Sequence, residues 1–153
     1  VMGRHCGDIA LYSALAGGAE CALIPEEEED INKVCRKIIE GSNRGKLHSI
    51  IIKAEGTPTS AGQLTKMIEE KTGKETRLVV LSYLQRGGSP TFNDRMLATL
   101  CGAKAVQLLA EESTSKAIGI ADGHIMAYDL KEALEMPRNF NEQLYNLIDV
   151  LSK

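Results

Sequence analysis

The hydrophobic positions of this chain alternate between short apolar runs and longer stretches with a helical period. The clearest helical period lies in residues 31–39, where apolar side chains recur at i, i+3, i+4, i+7 and i+8: Ile31, Val34, Cys35, Ile38 and Ile39. Residues 8–17 also predict a helix, with Asp8 capping its first turn and Gly17-Gly18 ending it. The acidic run 26–30 precedes the 31–39 helix, where negative charge suits the positive end of the helix dipole.

Capping residues indicate the remaining helices. Ser60 and Gln63 have the spacing of a capping box, which opens a helix that ends at Gly73 and turns three apolar residues inward: Leu64, Met67 and Ile68. Three more helices are predicted: a long one over 94–110, a short one that Asp129 caps and that ends before Pro137, and a last one that Asn141 caps, with Leu144, Leu147, Ile148 and Leu151 on one side.

Apolar runs predict strands at 20–24, 49–53 and 78–81. A hairpin is predicted over 116–128, because Asp122-Gly123 is a type I′ turn signal. Alternation of such strands with amphipathic helices is typical of an α/β fold, a layered α/β/α domain with a mainly parallel sheet. We expect the whole chain to form a single domain or a fragment of a larger protein.

Composition narrows the classes of function. The chain has 153 residues, a formal net charge of −3, 43% hydrophobic residues and 25% charged residues. A slightly acidic chain without a clustered basic face argues against nucleic-acid binding, and no apolar run is long enough for a transmembrane helix. The four cysteines lack the spacing of a metal site, so reduced thiols in a cytoplasmic protein are expected.

Candidate chemistry lies beyond the predicted strands, because parallel sheets bind ligands at the carboxyl ends of their strands. Glu55 and Arg86 each follow a predicted strand, and Arg4 lies at a predicted strand-to-helix junction. A carboxylate accepts hydrogen bonds from sugar hydroxyls, and a guanidinium holds phosphate with a planar fork. The sequence therefore predicts a sugar-phosphate rim, although the same arginines also fit solvated surface positions and Gly87-Gly88 also fits a simple turn.

Five blocks of sequence carry a more specific signal: residues 2–8 (MGRHCGD), 16–20 (AGGAE), 51–56 (IIKAEG), 75–77 (ETR) and 85–90 (QRGGSP). In order and spacing they resemble 6-phosphofructokinases of the bacterial type. Asp94-Arg95 and the tail 141–153 extend the resemblance over essentially the whole chain. The resemblance implies the C-terminal, fructose-6-phosphate-binding half of an enzyme of glycolysis. That enzyme transfers the γ-phosphoryl of MgATP to the 1-hydroxyl of fructose 6-phosphate, giving fructose 1,6-bisphosphate.

The resemblance implies a role for each matching residue of the sugar site. Met2, Gly3 and Arg4 match a segment that lies against fructose 6-phosphate, with Arg4 as the candidate catalytic residue near the transferred phosphate. Glu55 matches the carboxylate that holds the sugar hydroxyls. Arg77 matches an arginine that reaches the 6-phosphate of a neighbouring subunit. The remaining matches to the sugar site are Tyr83, Leu84, Gln85 and Arg86.

An effector site for ADP or phosphoenolpyruvate, between subunits of a homotetramer, is also implied by the resemblance. Its acidic part, which meets a nucleotide-bound Mg²⁺, is matched by Gly18, Ala19 and Glu20. Its cationic part is matched by segment 44–48, through Arg44, Lys46, Leu47 and His48. From the residues alone, this basic segment also fits the solvated end of a helix.

Two positions depart from the family pattern. Leu47 stands where a lysine is common, which removes one cation from the effector segment. Tyr83 stands where a histidine is usual, and tyrosine donates one hydrogen bond without carrying positive charge. The pH dependence of phosphate binding should therefore lack an imidazole contribution.

Other parts of the enzyme are not found in this sequence. It has no glycine-rich ATP phosphate loop, no Gly-Gly-Asp-Gly segment and no Thr-Ile-Asp-Asn-Asp-like segment with the catalytic base. Phosphoryl transfer needs these parts together with Mg²⁺. Because Val1 begins within a motif, we expect a fragment without the nucleotide-binding half, inactive alone and without a firmly bound metal. A pyrophosphate-dependent enzyme and a non-catalytic sugar-phosphate sensor are the alternatives.

Overall fold

The computed structural model describes residues 1–113 and 115–152, and these divide into two compact units. The larger unit comprises residues 1–87 and 140–152, and the smaller unit comprises residues 88–139. That both units belong to one domain stays a prediction. The elements, in chain order, are α1 (Asp8–Gly17), β1 (Cys21–Leu23), α2 (Ile31–Asn43), β2 (Ile51–Lys53), α3 (Ala61–Thr72), a 3₁₀ turn (Ser82–Arg86), α4 (Phe92–Ala110), β3 (Lys116–Ala121), β4 (His124–Asp129), α5 (Leu130–Glu135) and α6 (Glu142–Leu151).

The parallel sheet of the larger unit is built around β2. On one edge β2 pairs with β1 in parallel, with Cys21 opposite Ile51. On the other edge the backbone nitrogen of Val1 donates to the Lys53 carbonyl at 2.7 Å, and the Glu55 N–H donates to the Val1 carbonyl at 2.9 Å. The first residues of the chain therefore lie along β2 as a third extended segment. The prediction of an α/β fold with a parallel sheet is confirmed, although β1 and β2 are shorter than predicted and β2 is half-buried.

The core of the larger unit lies on the two sides of this sheet. One cluster forms where α1 and α6 meet the sheet, and its members include Ala10, Leu11, Ala14, Ile24, Ala54 and Ile148. The other forms where α2 and α3 meet the sheet, and its members include Leu23, Val34, Cys35, Ile38, Leu64 and Ile68. The helical period read from residues 31–39 therefore identifies the buried face of α2 through Val34, Cys35 and Ile38, but Ile39, which the period also includes, is 40% exposed.

The ends of α2 and α3 follow the capping signals. The Asp30 side chain accepts from the Lys33 N–H at 3.0 Å, and Ser60 forms the predicted capping box with Gln63. Gly73 ends α3 in the left-handed conformation, with φ of 67°, which glycine adopts without steric cost.

The cap of α1 differs from the prediction. Gly7, and not Asp8, is the N-cap residue, and no side chain of the helix itself caps it. The Gly7 N–H instead donates to both carboxylate oxygens of Glu26, at 2.8 and 3.0 Å. Glu26 follows β1, so part of the acidic run serves α1, whereas Asp30 alone caps α2.

The apolar run 78–81 is not a strand, which corrects the sequence-based prediction. Val79 and Val80 are 73% and 68% exposed, and no strand within the described residues pairs with this segment. Both edges of β2 are already taken, by β1 and by residues 1–3, so the run finds no hydrogen-bonding edge there. An apolar run indicates that a segment tends to be buried, but it does not specify the strand or surface against which the segment packs.

The smaller unit follows the sequence signals more closely. Helix α4 begins two residues before the predicted start, because Thr91 and Asp94 form a capping box. Strands β3 and β4 form the predicted hairpin, with positive φ at both Asp122 and Gly123, as a type I′ turn requires. Asp129 caps α5 as predicted, accepting from the Lys131 N–H at 3.0 Å. Among the helices described, none is both long and apolar enough to span a membrane.

Candidate functional site

Three segments that are distant in sequence meet at the carboxyl end of β2. The Gly56 N–H donates to the Gly3 carbonyl at 3.1 Å, which holds the segment after β2 against the first residues of the chain. The Met2 N–H donates to the side-chain oxygen of Gln85 at 2.8 Å. Segments 2–4, 55–56 and the 3₁₀ turn therefore form one edge, which we call the rim.

Close backbone contact at the rim depends on two glycines. A Cβ atom on Gly56 would lie 2.0 Å from the carbonyl oxygen of Arg4. Gly3 has φ of 136°, and a Cβ atom there would lie 2.5 Å from the Cys6 carbonyl oxygen. Both positions therefore exclude any larger residue unless the backbone moves.

Charged side chains extend from this backbone. Arg4 and Glu55 are both exposed. No residue in the described ranges receives a hydrogen bond or an ion pair from the Arg4 guanidinium, so this group is available to a ligand. Lys53, which sequence reasoning did not single out, lies just before the rim, and burial lowers the pKa of its amine. Its Nζ donates to the Ala54 carbonyl at 3.1 Å.

The 3₁₀ turn carries four of the residues matched to the sugar site. Gln85 is half-buried against Met2, whereas Tyr83 and Leu84 are largely exposed. The Arg86 guanidinium lies 5.6 Å from the centre of the Tyr83 ring, a cation–π distance that restricts the arginine without neutralising it. The turn therefore presents a cation and a phenol beside each other.

Arg77 stands apart from the rim. Its Nε donates to a Glu75 carboxylate oxygen at 3.0 Å, and both side chains are exposed. The run 78–81 that follows Arg77 is predicted as a strand but is not one, so Arg77 does not lie at a strand end. Its expected contact with a neighbouring subunit stays a prediction.

The residues matched to the effector site lie at the amino ends of β1 and β2. Glu20, which follows Gly18 and the buried Ala19, is only 6% exposed. One of its carboxylate oxygens accepts from the Ile50 N–H at 2.5 Å, and the other lies 3.4 Å from Lys46 Nζ. This brings the acidic part and one cation of the cationic part together, and we call the pair with its neighbours the effector surface.

The other members of the cationic segment are open to solvent. His48 is exposed, and Leu47 is 98% exposed, so the leucine at this position gains nothing from burial. Arg44 and Lys46 both donate to the Ser152 carbonyl oxygen, at 3.3 and 3.1 Å. The two cations therefore already have a partner within the chain.

Sequence reasoning missed the link between the effector surface and α6. Lys37 Nζ donates to the Glu20 carbonyl at 2.7 Å, to Asp149 at 2.5 Å and to the Ser152 hydroxyl at 3.2 Å. Lys33 also pairs with Asp149, at 2.8 Å. Burial raises the pKa of Asp149, but the hydrogen bonds from the two lysines outweigh it and hold the pKa below its usual value. No local signal could have revealed this, because Lys37 and Asp149 are 112 residues apart.

The described residues do not form a metal site. Within residues 1–113 and 115–152, no three His, Cys, Asp or Glu side chains lie close enough to hold a metal ion. Both carboxylate oxygens of Glu20 already face protein donors. This donor set does not fit a resident Mg²⁺, and no chemical step is assigned to a metal held by this chain.

Comparisons with known proteins identify relatives over the whole length of the chain. The chain is 54% identical over 153 residues to the ATP-dependent 6-phosphofructokinase of Clostridium acetobutylicum, covering 100% of this chain and 48% of that protein. It is 54% identical over 152 residues to the protein of the same name from Alkaliphilus metalliredigens, covering 99% of this chain and 47% of that protein. The chain thus spans about half the length of these curated relatives.

Solved structures give the same fold. Phosphofructokinase from Saccharomyces cerevisiae matches with a TM-score of 0.77 and 32% identity, over 99% of this chain and 21% of that one. Pichia pastoris phosphofructokinase in the T-state matches with a TM-score of 0.80 and 28% identity, over 99% of this chain and 17% of that one. The sequence model of the family described as Phosphofructokinase matches residues 1–109, which include the rim and the effector surface. By sequence and fold, the chain belongs to the phosphofructokinase family.

Proposed function

We propose that this chain is the sugar-phosphate-binding half of an ATP-dependent 6-phosphofructokinase, an enzyme of glycolysis in the cytoplasm. The observation that carries the proposal is the convergence of segments 2–4, 55–56 and 82–86 at one rim, through the Met2–Gln85 and Gly56–Gly3 hydrogen bonds. These segments hold a carboxylate, two guanidinium groups and a phenol, which together suit a phosphorylated sugar.

Each rim residue has a chemical task in the proposal. Glu55 accepts hydrogen bonds from sugar hydroxyls and so orients fructose 6-phosphate. Arg86 and Tyr83 hold the substrate from the 3₁₀ turn, in which Leu84 is an apolar neighbour. Arg4 balances charge on the phosphoryl group in transfer. Arg77 of a neighbouring subunit completes the 6-phosphate site in a homotetramer.

The phosphoryl donor is assigned from the relatives. Curated relatives of this chain are named ATP-dependent, which favours ATP over pyrophosphate. MgATP bound elsewhere in the full-length enzyme supplies the transferred phosphoryl group and a charge-neutralising metal. The residues described here bind and orient the acceptor sugar, and the isolated chain is proposed to be inactive.

The effector surface adds a regulatory proposal. Its parts are the 18–20 segment with Glu20 and the cations Arg44 and Lys46, flanked by Leu47 and His48. ADP or phosphoenolpyruvate is the proposed ligand, because both carry phosphate that paired cations attract. The rim and this surface lie at opposite ends of β1 and β2, so a signal between them must pass through the sheet and the helices packed on it.

An assay of the full-length protein tests the catalytic proposal. ADP release that depends on fructose 6-phosphate is expected with ATP, and no turnover is expected when pyrophosphate replaces ATP. The isolated 153-residue chain should release no ADP above background. Turnover with pyrophosphate alone would overturn the assignment of the donor, and turnover by the isolated chain would overturn the proposed division of labour.

A further inference from the structure

Four cations of the larger unit converge on the last turn of α6. Lys33 and Lys37 pair with Asp149, at 2.8 and 2.5 Å. Arg44 and Lys46 donate to the Ser152 carbonyl oxygen just beyond the helix, at 3.3 and 3.1 Å. The carbonyl end of a helix carries partial negative charge, so this turn attracts cations even without its carboxylate.

Both charge and packing hold this turn in place. Val150 and Leu151 are 61% and 64% exposed, whereas Ile148, directly before Asp149, is the residue of α6 that is buried in the core. A cavity of about 220 Å³ lies beside the turn, lined in part by Lys33, Lys37 and Asp149. The hydrogen bonds from the exposed Arg44 and Lys46 to the neutral Ser152 carbonyl are open to competition by an external anion, because an anion makes stronger charge-assisted bonds to the same cations.

The contact occupies the cations of the proposed effector surface. Lys46 bridges the Ser152 carbonyl and Glu20, and Lys37 bridges Asp149 and the Glu20 carbonyl. An arriving phosphate group therefore meets two cations that both donate to a neutral backbone oxygen, although Lys46 also lies 3.4 Å from a Glu20 carboxylate oxygen. We propose that the last turn of α6 is an internal competitor at the effector surface, which a phosphate-bearing anion displaces from Arg44 and Lys46.

Displacement of the last turn of α6 would also affect the hydrophobic core. Ile148, in the same helix, packs in the cluster that contains Ala10, Leu11 and Ala14 of α1. Helix α1 has its N-cap at Gly7, three residues after the rim segment 2–4, and its C-cap at Gly18, two residues before Glu20. Release of α6 thus changes the support of the helix that joins the two surfaces. By linkage, any agent that loosens α6 must also tighten the binding of the anion.

The inference rests on the proposed effector surface, and two variants of the full-length protein test it. Lys37→Met and Asp149→Asn both remove contacts that hold α6, but they change the charge near Arg44 and Lys46 in opposite directions. Simple electrostatics predicts that phosphoenolpyruvate binds more weakly to Lys37→Met and more tightly to Asp149→Asn. Release of α6 predicts tighter binding, by about fivefold or more, in both variants.

Calorimetry with phosphoenolpyruvate measures the affinities, and Lys66→Met is the matched control. Lys66 is an exposed lysine of α3, so its replacement removes the same charge and should change the affinity by less than about twofold. Hydrogen exchange of residues 142–152 gives a second measurement. Saturating phosphoenolpyruvate should speed exchange in the last turn of α6 in the wild-type protein while the protection of α3 stays unchanged.

The possible outcomes distinguish failure of competition by α6 from failure of the proposed effector surface. Binding that Arg44→Ala abolishes, combined with weaker binding to Lys37→Met and unchanged exchange in α6, would leave the effector surface standing and overturn the inference. Absence of phosphoenolpyruvate binding in the wild type and in both variants would overturn the effector surface and the inference together. Tighter binding in both variants with faster exchange in α6 supports both.

Discussion

The Met2 N–H donates a hydrogen bond to the side chain of Gln85 at 2.8 Å, across 83 positions of the sequence. This bond fixes the 3₁₀ turn to the segment that lies along β2, and so sets Arg86 at the same rim as Glu55. The proposed sugar site therefore depends on backbone contacts between segments as much as on its charged side chains. Several consequences of this arrangement are open to measurement.

Close approach at Gly56 makes it the most sensitive position of the rim. In Gly56→Ala, the new methyl group would lie 2.0 Å from the Arg4 carbonyl oxygen, so the segment that carries Arg4 must move. We expect fructose 6-phosphate to bind the full-length variant at least about tenfold more weakly, the loss of roughly one charge-assisted hydrogen bond. Gly62→Ala in α3 is the control, because nothing lies within 4 Å of the new methyl group. Equal affinities in the two variants would contradict the rim geometry.

Arg86 is proposed to bind the sugar phosphate and not the nucleotide. Arg86→Ala should weaken fructose 6-phosphate binding to the full-length protein by about 1.5–3 kcal/mol, the scale of a hydrogen bond to a charged group. ATP affinity should hardly change, because Arg86 lies in the sugar rim. Arg36→Ala, an exposed arginine of α2, should leave both affinities unchanged. Equal losses for both ligands would point to misfolding and remove support for the role of Arg86.

Much of the fold follows from local signals. The period of 31–39, the capping box at Ser60 and the turn at Asp122-Gly123 each predict an element that the structure contains, because each signal is complete within a few residues. The segment 78–81 fails as a strand because strand formation needs a partner that a local pattern does not specify. Likewise, the bonds of Lys37 to Glu20 and Asp149 have no local signature.

The candidate site likewise has one part that physical reasoning from the sequence predicts and another that it does not. The rule that ligands bind at the carboxyl ends of strands brings Arg4 and Glu55 to one edge on physical grounds. The assignment of Glu20, Arg44 and Lys46 to an effector site came from resemblance alone, since basic residues after a helix are ordinary. The contacts of Arg44 and Lys46 with Ser152 at the end of α6 became visible only in three dimensions.

Glu26 is predicted to stabilise the start of α1 from outside the helix. In Glu26→Ala, the buried Gly7 N–H loses both of its carboxylate acceptors, at a cost of about 1–3 kcal/mol. Hydrogen exchange of residues 8–17 in the full-length protein should therefore show less protection. Glu28→Ala is the control, because Glu28 is an exposed member of the same acidic run and accepts no hydrogen bond within the described residues. Unchanged protection in Glu26→Ala would show that the cap contributes nothing.

The ion pairs of Asp149 predict a pH dependence for α6. The pKa of Asp149 lies below its usual value in the folded protein, although burial acts in the opposite direction. Its pairs with Lys33 and Lys37 are therefore fully present above the unfolded pKa of about 3.9, and they are lost as the pH falls through the folded pKa. Protection of residues 149–152, corrected for intrinsic exchange, should hold above about pH 5 and fall at lower pH. A fall of the same size in Asp149→Asn would assign the effect to another group.

Calorimetric titration of the full-length protein with fructose 6-phosphate, beside Glu55→Gln and the exposed control Glu70→Gln, tests the central claim most directly. We expect binding that is selective over glucose 6-phosphate, unchanged in Glu70→Gln and weaker by about tenfold or more in Glu55→Gln. Wild-type affinity in a well-folded Glu55→Gln variant would contradict the claim that this rim holds the sugar.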